Sequence, residues 1–214
     1  MPEINEVPFV TERRNAFLFL ASSGYNSHVE RCFMKLLIAS DIHGSSLYCE
    51  QLMEAYKEEK PDKVLFLGDI LYHGPRNDLP DVYDTKAVVK MLNSIADQIL
   101  CVCGNCDCDV DQMVLNFPIL SDYALLYIDG VTIYATHGHV YNQNNKLPGM
   151  KGILLCGHTH VPAIEEYEDF TYLNPGSVSI PKKGSKHSYM VFENGTFLWK
   201  DLETRQVYQE YVTR

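Results

Sequence analysis

The sequence predicts an α/β fold: a four-layer sandwich of two mixed β-sheets packed face to face, with helices on the outside. Two observations predict it. In the first half, short apolar runs alternate with segments of helical period, the pattern of βαβ units and parallel strands. In the second half, Asp129-Gly130 and Asn194-Gly195 each separate two apolar runs, and such dipeptides mark antiparallel hairpins. Parallel units followed by hairpins are best satisfied by two packed sheets.

The elements follow in order. Residues 36–39 are apolar throughout, as in a strand covered on both faces. A helix over 46–59 places Leu47, Leu52, Met53 and Tyr56 at helical spacing. Ser45 or Ser46 is its N-cap and Pro61 ends it. Residues 64–67 form a second strand. A helix over 84–96 carries Ala87, Val88, Met91, Leu92 and Ile95 on one face, and 99–103 form a third strand. Strands over 123–128 and 131–135 make the first hairpin. Residues 153–156 are another buried strand, and 189–192 with 197–200 make the second hairpin.

The chain has 214 residues, 46% of them hydrophobic, enough for one domain with a sizeable core. That domain is expected over 34–214. Residues 1–33 lack clear periodicity and form an extension with two readings. It is an appended segment that packs on the domain through Phe17-Leu18-Phe19-Leu20, or an upstream start before Met34. The formal net charge of -10 argues against nucleic acid as partner, because phosphate backbones need a basic face. No apolar run is long enough for a membrane span, and no secretion signal precedes the domain. Seven cysteines, an odd number, then indicate a reducing, cytoplasmic setting without a disulfide framework.

Five motifs each follow an expected strand: Asp41-Ile42-His43-Gly44, Gly68-Asp69, Gly104-Asn105-Cys106-Asp107, His137-Gly138-His139 and Gly157-His158-Thr159-His160. Ligands of α/β sheets bind beyond the carboxyl ends of strands, where loops bring distant residues together. Carboxylates, imidazoles and one carboxamide oxygen suit Mn, Fe, Zn, Co or Ni better than calcium. The donors are too many for one tetrahedral ion; two ions roughly 3.5–4 Å apart and bridged by one carboxylate would use them all. Any one motif alone is more often a turn or a helix cap.

In this order the motifs resemble the calcineurin-like metallophosphoesterase superfamily, from Met34 nearly to the end of the chain. Residues 39–44, His73-Gly74-Pro75-Arg76-Asn77, 104–107 and 174–181 are similar to the YfcE-like bacterial phosphodiesterases. The resemblance implies the calcineurin-like fold, with Asp41, His43 and His160 on a first metal, Asn105, His137 and His158 on a second, and Asp69 bridging. It implies two divalent ions, manganese foremost, whose shared hydroxide hydrolyses a small-molecule phosphate diester. It also implies homo-oligomeric assembly. Two departures stand out. Cys106 occupies the position where many members have a histidine that protonates the leaving alkoxide, which predicts a preference for good leaving groups. His73 stands where many phosphatases carry arginine, and Arg76 is a nearby substitute for the phosphate contact. His139 is expected to donate a hydrogen bond at the site or touch substrate. Alternatives are a phosphomonoesterase and a non-catalytic scaffold like the retromer subunit of this fold; the full ligand set argues against the scaffold. Cys101 and Cys103 read as core residues, not as a zinc or iron–sulfur site. His28 and His187 read as surface residues.

Overall fold

The computed structural model describes residues 16–17 and 34–213. The first half contains β1 (Ala16–Phe17), β2 (Leu36–Ala39), α1 (Ser46–Glu59), β3 (Lys63–Phe66), α2 (Thr85–Asn93), β4 (Ile99–Cys101) and α3 (Asp109–Gln112). The second half is almost all strand: β5 (Tyr123–Ile128), β6 (Val131–Thr136), β7 (Gly152–Leu155), β8 (Ala163–Glu166), β9 (Phe170–Asn174), β10 (Ser188–Glu193), β11 (Thr196–Asp201) and β12 (Val207–Val212).

The strands form two six-stranded mixed sheets, ordered β1-β5-β6-β7-β9-β8 and β12-β11-β10-β2-β3-β4. In the second sheet β2, β3 and β4 are parallel, and β10 joins β2 antiparallel. In the first sheet β6, β7 and β9 are parallel, while β5 is antiparallel to β6 and β8 to β9. Both expected hairpins are present. Asp129 and Asn194 adopt left-handed backbone with φ of 52° and 53°, each followed by a positive-φ glycine, as a tight hairpin requires.

Alternation along the strands explains the layers. Leu36 and Ile38 of β2 face the first sheet, in a core shared with Leu126, Ile133, Ile153 and Trp199. Leu37 and Ala39 face the other way, onto Leu52 of α1 and Val88 and Leu92 of α2. Ser45 caps α1 by accepting from the Tyr48 N–H, and Asp84 caps α2 from the Ala87 N–H. The helix expected to reach residue 96 ends at Asn93 and continues as a 3₁₀ turn over Ala96–Gln98. The outer face of the first sheet is covered differently. There Leu147 and Met150, from the loop before β7, pack on Leu154, Phe170 and Tyr172. Among the described residues the helical layer therefore lies on the second sheet.

The expectations need three amendments. The β8–β9 hairpin and edge strand β12 were not anticipated from the sequence. His187 is not a plain surface residue: its ring stacks on Tyr48 at 3.8 Å, and its Nδ1 lies 2.8 Å from the Val178 carbonyl. Of the extension, β1 pairs parallel with β5, Ala16 opposite Ala124. The remainder of 1–33, with His28 and the residues 18–20, lies outside the described residues. No helix among the described residues is long and apolar enough to cross a membrane.

Candidate metal centre

The parallel strands β2, β3 and β4 of one sheet and β6 and β7 of the other end at a common edge. The motif loops that follow are zipped together in pairs. Asp41 N–H bonds the Gly68 carbonyl at 3.1 Å, His43 N–H the Asp69 carbonyl at 2.9 Å, and Gly157 N–H the His137 carbonyl at 2.9 Å. The turns are sharp. Asp41, His43, Asp69, His158 and His160 all have left-handed backbone, with φ of 60°, 48°, 57°, 65° and 60°. Such conformations cost roughly 1–2 kcal/mol each for non-glycine residues and persist only where surroundings impose them. Ser177 and Ser179 hydroxyls both donate to the Asp41 carbonyl, at 2.9 and 3.1 Å, fixing the first turn.

All seven candidate ligands meet. His160 Nε2 lies 3.3 Å from Asp41 Oδ1 and 3.3 Å from His43 Nε2. Asp69 Oδ2 sits between two rings, 3.6 Å from His43 Nε2 and 3.4 Å from His137 Nε2. Asn105 Oδ1 and His158 Nδ1 approach His137 Nε2 to 3.1 and 3.2 Å. Donors of Asp41, His43 and His160, and again of Asp41, Asp69 and His137, lie within 4.8 Å of one another.

Three rings are held in one orientation from behind. Nδ1 of His43, His137 and His160 donates to the carbonyls of Tyr72, Leu67 and Ile180 at 2.8, 2.6 and 2.6 Å. A neutral ring so held presents its Nε2 lone pair to the centre, the arrangement of metal-ligating histidines. Asp41 Oδ1 is buried and has no hydrogen-bond donor. An anionic oxygen without a donor, encircled by imidazole lone pairs, fits a cation.

The electrostatics agree. Burial opposes ionisation of Asp41, but the His160 and His43 imidazoles beside it, with His137, override it and hold the carboxyl well below its ordinary range. Burial likewise opposes, and His137 reverses, the shift at Asp69, whose pKa is lowered. Burial would discharge His137, yet Asp69 and Asp41 raise its pKa to about 9. The two carboxylates make a well of negative potential that raises the proton affinity of His43 and His137, whereas burial and the neighbouring His137 lower that of His158.

The other four candidates lie around the rim. Cys106 is half-buried, its Sγ 3.1 Å from Asn105 Nδ2; burial and the Asp69 carboxylate push its thiol up to about 12. His139 is exposed, its ring 5.3 Å from His137 and 6.3 Å from His158. His73 packs edge-on to Tyr72 and Tyr83, at 4.8 and 5.3 Å, instead of reaching into the cluster. Arg76 is exposed and forms no ion pair among the described residues.

One residue was quoted within a motif but given no role. Asp107 accepts three backbone N–H groups, of Asp69, Ile70 and Gly104, each at 2.8 Å. It ties the turn after β3 to the turn after β4. Gly104 is obligatory there, because a Cβ would overlap the carboxylate and the backbone N of Asp69.

Two mixed sheets whose strand ends pool carboxylates, imidazoles and a carboxamide define an α/β protein with a candidate dinuclear metal centre. The chain belongs to the calcineurin-like phosphoesterase superfamily, whose domain model matches residues 34–196. It is 42% identical over 163 residues to phosphodiesterase YfcE of Escherichia coli strain K12, spanning 75% of this chain and 88% of that protein. The solved structure of E. coli YfcE, described as a phosphoesterase, superposes with a TM-score of 0.81 at 37% identity. It covers 85% of this chain and 100% of that one. Vacuolar protein sorting 29 from Cryptosporidium parvum, at 19% identity and a TM-score of 0.56 over 85% of this chain and 100% of that one, shares the fold.

Proposed function

We propose that this chain is a phosphodiesterase that hydrolyses small-molecule phosphate diesters with two divalent cations, manganese foremost. Residues 34–214 are its catalytic domain and 1–33 an extension. Cytoplasmic location, which rests on the cysteine usage, and homo-oligomeric assembly, which rests on family resemblance, belong to the same proposal. The observation that carries the reading is the convergence of seven donor residues around Asp69 Oδ2 and the unbonded Asp41 Oδ1. The 42% identity to phosphodiesterase YfcE supports the diester.

Asp41, His43 and His160 would hold one cation; Asn105, His137 and His158 the other; Asp69 would serve both. When bound, the ions neutralise charge on phosphoryl oxygens and lower the pKa of the attacking water. The chain's own groups set the geometry. The Tyr72, Leu67 and Ile180 carbonyls keep Nε2 of three histidines facing inward. Asn105 turns its oxygen inward because its amide nitrogen is engaged by Cys106. Cys106 stands beside the departing oxygen. A thiol is a weaker proton donor there than an imidazolium, so esters that leave without protonation are favoured. Arg76 and His139 contact the substrate from the rim.

Chelation is expected to abolish hydrolysis of an aryl phosphodiester and added manganese to restore it; hydrolysis indifferent to chelator would end the proposal. Activity is also expected to fall in acid, since imidazoles bind metal only when neutral. A panel of mono- and diesters assayed with several metals decides between diesterase and monoesterase. Cys106→His is expected to raise turnover on alkyl diesters by about tenfold or more, within what general acid catalysis supplies. An unchanged rate on alkyl esters would remove Cys106 from the mechanism.

A further inference from the structure

A cleft of about 560 Å³ opens beside Cys106, a volume within the roughly 300–1,000 Å³ of small-molecule sites. Its walls are Leu71, Tyr72, Tyr83, Val89, Val110 and Val114, contributed by the loop after β3, by α2 and by the α3 segment. The cleft is continuous with the candidate metal centre. Cys106 lines both, and the carbonyl that orients His43 belongs to Tyr72 of the cleft wall. Two tyrosines stand beside aliphatic side chains. Tyr72 is 43%, Tyr83 37% and Val110 67% exposed. Clustered exposed apolar groups next to a site mark a ligand surface, and flat rings pack best on such mixed aromatic and aliphatic walls.

We infer that this cleft receives an aromatic ring carried by one arm of the phosphodiester, so that the enzyme selects aryl or heteroaryl esters over small alkyl ones. The inference rests on the phosphodiesterase reading and adds a substrate class to it. The position fits, because Cys106 lines the cleft and holds the place from which, by the family resemblance, the departing oxygen would be protonated, so the arm beside it would be the departing one. An aromatic alcohol leaves without a strong proton donor, which is what a cysteine at that place requires. Cleft and Cys106 thus favour the same kind of arm by independent physics, one through binding and one through chemistry.

The test compares benzylphosphonate with methylphosphonate, binding to the manganese-loaded protein and measured by calorimetry; the benzyl CH₂ stands in place of the ester oxygen. Benzylphosphonate is expected to bind about tenfold tighter, from the apolar area that the ring buries. Val110→Trp and Val114→Trp fill the cleft from its exposed rim, and each is expected to erase that preference. Equal affinity of the two phosphonates, or a preference that survives in both variants, would overturn the inference. So would variants that dissociate a dimer in sedimentation while keeping the preference, because the patch would then join two copies of the chain. If neither phosphonate binds in a metal-dependent way, the phosphodiesterase reading itself fails, and the cleft assignment falls with it.

Discussion

Asp69→Asn is expected to lower kcat/KM on an aryl phosphodiester by about a thousandfold or more, the scale of losing charge at a two-metal centre. The reason is geometric. Asp69 Oδ2 lies between His43 and His137, a place from which one carboxylate would serve two cations. Asparagine keeps an oxygen for the Cys106 N–H, which Asp69 Oδ1 accepts at 2.8 Å, so the turn is expected to stay folded. What changes is one negative charge in a buried site. Kinetics with metal analysis of the purified variant checks this: fewer than two equivalents of metal are expected, with an unchanged circular dichroism spectrum. A variant that keeps two metals and activity within tenfold would show that Asp69 does not bridge.

Asp107→Ala is expected to destabilise the fold by about 3–5 kcal/mol, since each of three N–H donors left unpaired costs about 1–3 kcal/mol and water recovers part of it. In a chain of this length that lowers Tm by about 10–15 °C. Burial lifts the Asp107 carboxyl to about 6, against the pull of those donors. Asp107→Asn is expected to lose less, because one oxygen remains to accept. Thermal denaturation of both variants tests the order. Activity is expected to fall with stability, since the freed turns are those that carry Asp69 and Asn105. A Tm within 2 °C of the parent would mean that water replaces the carboxylate and that the turns are held by other contacts.

Much of this was legible because the determinants are local. The hairpins at Asp129-Gly130 and Asn194-Gly195 announce themselves in two residues each, and the ligand motifs combine residue types that rarely follow strands together. Other features have no such signature. The carbonyls of Tyr72, Leu67 and Ile180 orient three histidines, yet any residue could supply a carbonyl. Strand β9 is buried along its whole length and mixes Thr171 and Asn174 with apolar residues, so it shows no alternation. Its partner β8 ends in Glu165 and Glu166, which resemble a loop. Edge strand β12 presents exposed and half-buried residues only, so burial left no pattern to read. The third strand was expected to reach Cys103 but ends at Cys101, because the Cys103 N–H leaves the ladder for the Ser121 carbonyl. Asp107 was overlooked since a carboxylate beside a ligand motif resembles either a turn residue or another ligand.

Trp199 is the single tryptophan of the chain, and it is fully buried between the sheets. Its indole N–H donates to the Asn174 carbonyl at 2.7 Å, while the Asn174 amide donates to the Gly157 carbonyl at 2.7 Å, one residue before His158. Two hydrogen bonds thus link the chromophore to the turn that carries two candidate ligands. Intrinsic fluorescence of this protein, excited in the indole band, comes from one known place, and its colour and intensity are expected to follow the state of that turn without any added label.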